Sequence, residues 1–511
     1  MEKPAIRLPP TPAKRHLSTD PNHAPSSLID GAGWYLLAAA IVLAGAVVRV
    51  AASRGCLWLD EIWTLTRINE SVSSAWDIFA GLHDSNNHHL NTLALYLLGK
   101  QQPWFVYRLP AVVAGIATIL VAGHIGLRRG RLEALLAMLL TAGSYLLIYY
   151  SSEARGYGLV VFFNVLAFDL MEGFFDRPSP WVVAGFWGAA ILGLLSQVLL
   201  WILFYVPLVA WSAVRALNRK HSWAQRARDL ALWHALPIAA FVILDLVDLR
   251  KMALGEGPPY RLADVLLGAA SLSVGGAEIG PGVIPCAAIM LVVLACGFWL
   301  LWKRRADVLI FYAGAIVVAP VGMAVLKSVV LLTSPDVLFI RYFVGAFAFF
   351  LVVAAFWLAD LFRRGGRARI VAGVAITAFI LGNVWQTAAL LRYGRGDYPN
   401  ALRYMAERTI LPVVRVGSDH DFRNGLLIDF YARSVPDRKF RYYSPENVSP
   451  KAWADRGPQW YILHRWEEKP PPDGIQVRGA LFIQRKRFRH AGASGWDWYV
   501  YQRIGPAASA P

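Results

Sequence analysis

The chain has 511 residues, 56% of them hydrophobic and 17% charged, and its mean hydropathy of +0.42 excludes an ordinary soluble protein in favour of a polytopic membrane protein. A net charge of +17 does not mark a nucleic-acid binder here, because the basic residues sit in short clusters between apolar runs and form no single patch. Three cysteines, Cys56, Cys286 and Cys296, offer neither a metal-ligand spacing nor a disulfide framework.

Residues 1–30 are rich in Pro and Ser and read as a disordered tail. Apolar runs long enough to cross a bilayer follow at 34–52, 104–126, 132–150, 156–174, 283–302, 308–326, 340–361 and 370–391. The stretch 181–214 holds two more with a tight turn near Gly193 to Gln197, and 231–249 holds another. That predicts a mainly α bundle of about eleven transmembrane helices. The run 90–98 is under half a span and reads as re-entrant or interfacial.

Arg128, Arg129 and Arg131, then Arg215 to Arg228, then Lys303 to Arg305, then Arg363 to Arg369 lie in short connections. With the N-terminal tail in the cytoplasm, every cluster falls on the cytoplasmic side as the spans alternate, the positive-inside pattern of a plasma-membrane protein. The outer face then receives the loop 53–103, the turn 151–155, the segment 250–282, the turn 327–339 and the tail after 391. In loop 53–103, the segments 60–68 and 74–82 carry helical apolar spacing and read as surface helices. The segment 250–282, with Lys251, Pro258, Pro259, Tyr260 and Arg261, reads as a flap or as an inert connector.

The acidic pair Asp60 and Glu61 follows the first span directly, framed by Trp58 and Trp63. Ionisable groups at a membrane edge are costly to place and mark candidate sites, whereas the tryptophans alone would fit a headgroup anchor. Arg108, Arg155 and Arg341 open spans on the same outer side, against the charge bias. Singly each fits a snorkelling anchor; together they suit bidentate binding of a phosphate or carboxylate.

From about residue 395 the long apolar runs stop. Short β-rich runs appear at 413–416, 460–463 and 499–501, with amphipathic helices expected at 400–408 and 425–432. This alternation predicts an extracytoplasmic α/β domain over 395–511. Its nineteen Lys and Arg against twelve Asp and Glu fit contact with anionic lipid or polysaccharide, or an ordinary solvated surface.

The ordered set Trp-Leu-Asp-Glu after the first span, a His-rich turn, Tyr107-Arg108-Leu109-Pro110, Tyr150-Ser151-Ser152-Glu153-Ala154-Arg155-Gly156-Tyr157 and Arg341-Tyr342 resembles the GT-C glycosyltransferase superfamily over roughly residues 34–391. Its nearest branches are the protein O-mannosyltransferases, the aminoarabinose transferases of lipid A and the galacturonosyltransferases of lipopolysaccharide core. The resemblance implies a transmembrane domain over 31–394 that moves a sugar from a polyprenyl-phosphate donor to a lipid, glycan or protein acceptor at the outer face.

It further implies Asp60 as general base, with Glu61 as the second candidate, and Arg108, Arg155 and Arg341 on the donor phosphate. His88, Glu153, Tyr157 and Tyr342 are expected to position donor or acceptor, although Glu153 and Arg155 also fit a simple ion pair. No cofactor is required by this scheme; a divalent metal held by His88, His89, Asp84 and Asp60 is an option. The turn Asn86-Asn87-His88-His89-Leu90-Asn91 departs from the His-Pro-Pro-Leu-Tyr turn of many relatives. A transporter or flippase of lipid-linked sugars is the competing reading, as is a sensor with a degenerate site.

Overall fold

The computed structural model describes residues 31–100, 102–176, 179–218, 222–252, 261–304, 306–326, 338–444, 453, 457–465 and 470–506. The expected disordered tail 1–30, residues 253–260 of the segment 250–282 and most of the turn 327–339 lie outside them.

All eleven expected crossings are helical, and the chain is a multi-pass membrane protein. Among the described residues eight helices are long and apolar enough to cross a bilayer, beginning with Ala32–Ala52 and ending with the span that runs from Gly366. Lipid offers no hydrogen bonds, so a spanning segment must satisfy its backbone internally, which apolar runs of this length do as helices. The other three crossings are interrupted or short. Arg131–Gly143 and Tyr145–Tyr150 are separated at Ser144, Pro180–Ser196 has 17 residues, and Leu309–Val325 carries a π turn at Gly314–Val318 just before Pro320. At the first break the freed Tyr145 N–H is taken up by Asn383 Oδ1 at 2.6 Å, so the chain bends without an orphan donor.

Val344–Arg364 is the central helix, buried along most of its length. Phe311 stacks on Phe168 at 4.3 Å and meets Phe349 edge-on at 4.9 Å, an aromatic core that joins three spans. Helices on the periphery leave Val113, Trp181 and Val374 exposed, as expected of faces turned to lipid.

Loop 53–103 and the tail meet at one end of the bundle, called here the upper end. Of the two surface helices expected in the loop, the first is present as Leu59–Ser71, while the second shrinks to Asp77–Ala80. The short apolar run 90–98 forms the helix His89–Leu98. The segment 250–282 contains a helix the sequence reading did not resolve, Leu262–Ser273.

The tail forms a six-stranded mixed sheet in the order β2-β1-β3-β6-β5-β4. Its strands are β1 Val413–Ser418, β2 Lys439–Tyr442, β3 Trp460–Arg465, β4 Gly474–Val477, β5 Ala480–Phe488 and β6 Asp497–Pro506. β1 runs parallel to β2 and β3, and the remaining pairs are antiparallel. The helices Tyr398–Glu407 and Asp421–Ala432 accompany it. The second lies on Leu59–Ser71, with Phe422 edge-on to Trp63 at 5.3 Å and Tyr431 Oη donating to Leu57 O at 2.7 Å. The tail is thus seated on the loop that carries the acidic pair.

Candidate functional site

Asp60 and Glu61 are consecutive in the first turn of Leu59–Ser71 and therefore point about 100° apart around the helix axis. They enter different networks. Glu61 has no exposed surface. Its Oε1 accepts from Arg108 Nε at 2.7 Å and from Ala154 N at 2.7 Å, and its Oε2 from Arg108 Nη2 at 2.5 Å and from Trp58 N at 3.0 Å. Burial raises its pKa, but the charge and hydrogen bonds of Arg108 outweigh burial and hold Glu61 below the usual carboxylate range.

Arg108 completes its set with the carbonyls of Ser53, Gly55 and Cys56 at 3.0, 2.7 and 2.7 Å. All five of its N–H donors are thereby used. This corrects two expectations: Arg108 has no donor left for a phosphate, and Glu61 is sealed inside the protein where no acceptor hydroxyl reaches it. Together they close the turn between the first span and the loop.

Asp60 faces the other way and is buried as well, with 13% of its side chain exposed. Its Oδ2 lies 2.6 Å from Arg155 Nη1 and 3.3 Å from Arg341 Nη1, so residues 60, 155 and 341 do converge. Arg155 also donates through Nη2 to Asn86 Oδ1 at 2.6 Å and approaches His88 Nε2 at 3.2 Å. Its guanidinium lies 4.9 Å from the Tyr157 ring and 5.6 Å from the Trp58 ring, while that of Arg341 lies 4.0 Å from Phe339 and 5.8 Å from Tyr342. Tyr157 and Tyr342 are thus platforms for the two cations. Among the described residues, both guanidinium groups retain a buried Nε with no hydrogen-bond partner.

His88 is positioned by its other nitrogen, since Nδ1 lies 3.1 Å from the carbonyl of Ser196. A carbonyl only accepts, so the hydrogen-bond network assigns the proton to Nδ1 and leaves Nε2 to accept from Arg155. Burial, reinforced by the Arg155 charge, holds the imidazole well below its ordinary pKa and therefore neutral. This close packing requires Gly156. A Cβ there would lie 1.8 Å from Ser196 O and 2.6 Å from His88 Nδ1.

Asn86 is a site residue that the sequence reading saw only as a departure from a family turn. Its Nδ2 donates to Asp60 O and Thr64 Oγ1, both at 2.9 Å, while its Oδ1 takes Arg155. One amide therefore ties the Asp60 helix to the arginine.

Glu153 does not pair with Arg155 and does not face Asp60. Its Oε1 accepts from Arg395 Nε at 3.1 Å and from Ser494 Oγ at 2.8 Å, and Arg395 Nη2 reaches Tyr149 O and Ser152 Oγ at 2.8 and 3.0 Å. Burial raises the Glu153 pKa, an effect that Arg395 partly offsets. Its contacts place it in the seam between bundle and tail, which corrects the positioning role expected of it. Arg395, unmarked in the sequence reading, is its partner.

The four residues considered for a metal do not gather around one point. His89 turns to Asp248 Oδ2 at 2.7 Å, a carboxylate that also takes His83 at 2.5 Å. Asp84 caps Asn86 N at 2.8 Å. Among the described residues no group of three His, Cys, Asp or Glu could hold a metal ion.

Next to Arg341, Tyr342 borders a small apolar crevice of about 10 Å³ between three spans, lined also by Leu203, Phe204, Pro320, Gly345 and Phe349.

No family model and no curated protein matches the chain. Among solved structures it is similar to ArnT from Cupriavidus metallidurans bound to undecaprenyl phosphate, at 13% identity with a TM-score of 0.51, covering 94% of this chain and all of that one. The apo state of the same protein gives the same identity and TM-score, with 94% of this chain and 99% of that one covered. The fold is accordingly similar to that of ArnT, a mainly helical membrane bundle with a C-terminal sheet as the sequence implied.

Proposed function

We propose that the chain is a GT-C glycosyltransferase of the plasma membrane that transfers a sugar from a polyprenyl phosphate to a lipid, glycan or protein acceptor at the outer face. The observation that carries this reading is the bridging of one partly exposed carboxylate, Asp60, by Arg155 and Arg341, each with an Nε–H unused among the described residues. The likeness to ArnT, which has been captured with undecaprenyl phosphate, supports it.

In this scheme the donor phosphate takes over the two guanidinium groups, using the Nε–H donors that Asp60 leaves idle. Displaced from its cations, the Asp60 carboxylate is free to accept the proton of the acceptor hydroxyl. The hydroxyl oxygen attacks the anomeric carbon, the carbon–oxygen bond to phosphate breaks, and the electron pair leaves with the polyprenyl phosphate. Arg155 and Arg341 stabilise the charge that develops there. A single base opposite the leaving group inverts the anomeric configuration. Asn86 and neutral His88 hold Arg155 in place, and no metal is needed for any step.

Ionisable groups within the spans do not favour the transporter reading. Asp169 pairs with Arg128 at 3.0 Å and Asp245 with Arg250 at 2.5 Å, and both lie toward helix ends, away from the middle of a span where a transport site forms.

Asp60→Asn keeps the shape and removes the base. Transfer activity in membranes is expected to drop roughly 100- to 10,000-fold at unchanged protein level, and mass spectrometry of envelope glycolipids and glycans should show one sugar unit missing. Full activity in this variant would refute the assignment.

A further inference from the structure

The last span carries its apolar stripe up to a cation. Along Gly366–Tyr393 the exposed positions Val374, Ala378, Leu381, Trp385, Ala388 and Arg392 recur at helical spacing and share one face. The buried positions Asn383, Thr387 and Leu390 fall on the opposite side, against the bundle. The stripe is therefore the face turned to lipid. Arg392, about 10 Å along the axis from Trp385, stands where that face leaves the hydrocarbon.

A single arginine at this level is the ordinary snorkelling anchor of a span. Here a second one is brought to it from the tail. Ala491 N donates to Gly394 O at 2.7 Å, which pins the turn after β5 to the end of the span. The Arg392 guanidinium lies 5.2 Å from the centroid of the Tyr393 ring. That of Arg489 lies 5.7 Å from the same centroid, with Nη1 3.5 Å from Tyr393 Oη.

The turn that delivers Arg489 has a fixed path. Asp497 Oδ1 accepts from His490 N at 2.8 Å and lies 2.7 Å from His490 Nδ1, and Ser494 N donates to Tyr149 Oη at 2.8 Å. Gly492 has φ +96°, and a Cβ on it would stand 2.3 Å from Tyr149 Cε2, so only glycine lets the turn lie this close to the bundle.

Both arginines are exposed, and among the described residues neither makes an ion pair. Their basic neighbours differ: Arg487 is paired with Asp497 at 2.5 Å and Arg395 with Glu153 at 3.1 Å. Two cations gathered at one ring with no acid beside them repel each other, and an anion between them relieves that repulsion. The apolar stripe directly below favours an anion that carries hydrocarbon chains over a dissolved ion.

We propose that Arg392 and Arg489 bind the phosphate of an anionic membrane phospholipid whose chains lie along the face of Leu381, Trp385 and Ala388. One cation belongs to the span and the other to the tail, so the bound lipid ties the sheet to the edge of the bilayer. The site shares no residue with the Asp60 cluster and does not depend on the glycosyltransferase reading.

The test uses the full-length protein in mild detergent. Unfolding temperatures are measured with phosphatidylglycerol, phosphatidylcholine or inorganic phosphate at equal concentration, and native mass spectrometry counts the lipid that stays bound. Phosphatidylglycerol is expected to bind and to raise the unfolding temperature, less so as salt is added, while the other two raise it less. Arg392→Gln and Arg489→Gln should each weaken phosphatidylglycerol binding roughly fivefold, and the two together roughly 25-fold. Arg392→Lys and Arg489→Lys, which keep the charge, should retain most of it. Arg403→Gln, which removes an exposed charge elsewhere on the tail, should leave binding unchanged. Undiminished binding in the double glutamine variant, an equal loss in Arg403→Gln, or equal stabilisation by inorganic phosphate overturns the proposal.

Discussion

Two ionic clusters begin at adjacent residues and differ in every property that matters for function. The Glu61 cluster is closed: four hydrogen bonds converge on the acid, and all five donors of Arg108 are used. The Asp60 cluster is open: one carboxylate oxygen bridges two arginines, and each arginine keeps an Nε–H unused among the described residues. A saturated network resists change because any new partner must displace an existing one without gain. An unsaturated one is ready for a ligand that brings more acceptor oxygens, as a phosphate does. Proximity to a membrane surface therefore does not separate structural charges from functional ones; residual hydrogen-bonding capacity does.

The sharpest way to break this comparison is to unbalance the closed cluster. Glu61→Gln or Arg108→Met leaves a buried charge without its partner, at a cost of about 3–5 kcal/mol. The expected result is a large fall in unfolding temperature in detergent and in the amount of protein inserted. A variant as stable as wild type would mean that the cluster is not closed.

The open cluster should respond in the opposite manner. Arg155→Lys or Arg341→Lys keeps the positive charge but removes the planar fork. Transfer is expected to fall roughly 100-fold, with the unfolding temperature changed little, and initial rates on purified protein against thermal melts check both halves. Equal losses of stability in the two sets of variants would erase the distinction.

The smallest expected effect concerns His88. Its folded pKa lies below its ordinary value near 6.5, so on acidification the unfolded chain takes up a proton that the folded chain refuses. The stability His88 contributes is complete above pH 6.5 and is lost as pH falls below it, by at most about 1.4 kcal/mol per pH unit from this group. Chemical unfolding at pH 7.5 and pH 5.5 should show a smaller acid loss in His88→Asn than in wild type.

Much of this was legible in the sequence. Span lengths gave the bundle, and two of the three arginines that open spans on the side of the acidic pair do meet Asp60, namely Arg155 and Arg341. What the linear pattern could not give was the pairing. Arg108 and Arg155 are the same residue type at the same membrane end, and only the helix phase of Asp60 against Glu61 decides which arginine is consumed. Glu153 was misread for a similar reason: its partner Arg395 lies 242 residues away. Strand β5 was overlooked because Arg485, Lys486 and Arg487 interrupt the apolar alternation that marks a strand, and β2 and β4 have only four residues each.

The link from Glu153 to Arg395 and Ser494 has a practical consequence for anyone trimming this chain. The sheet at the C-terminus looks detachable, an ordinary soluble module appended to a membrane anchor. Yet a truncation ahead of Arg395 would strand an acid inside the bundle with its counter-charge cut away, next to the turn from which Ala154 and Arg155 reach the two clusters. A minimal version built from the spans alone would lose the keystone of that turn, so the smallest working unit of this protein includes its tail.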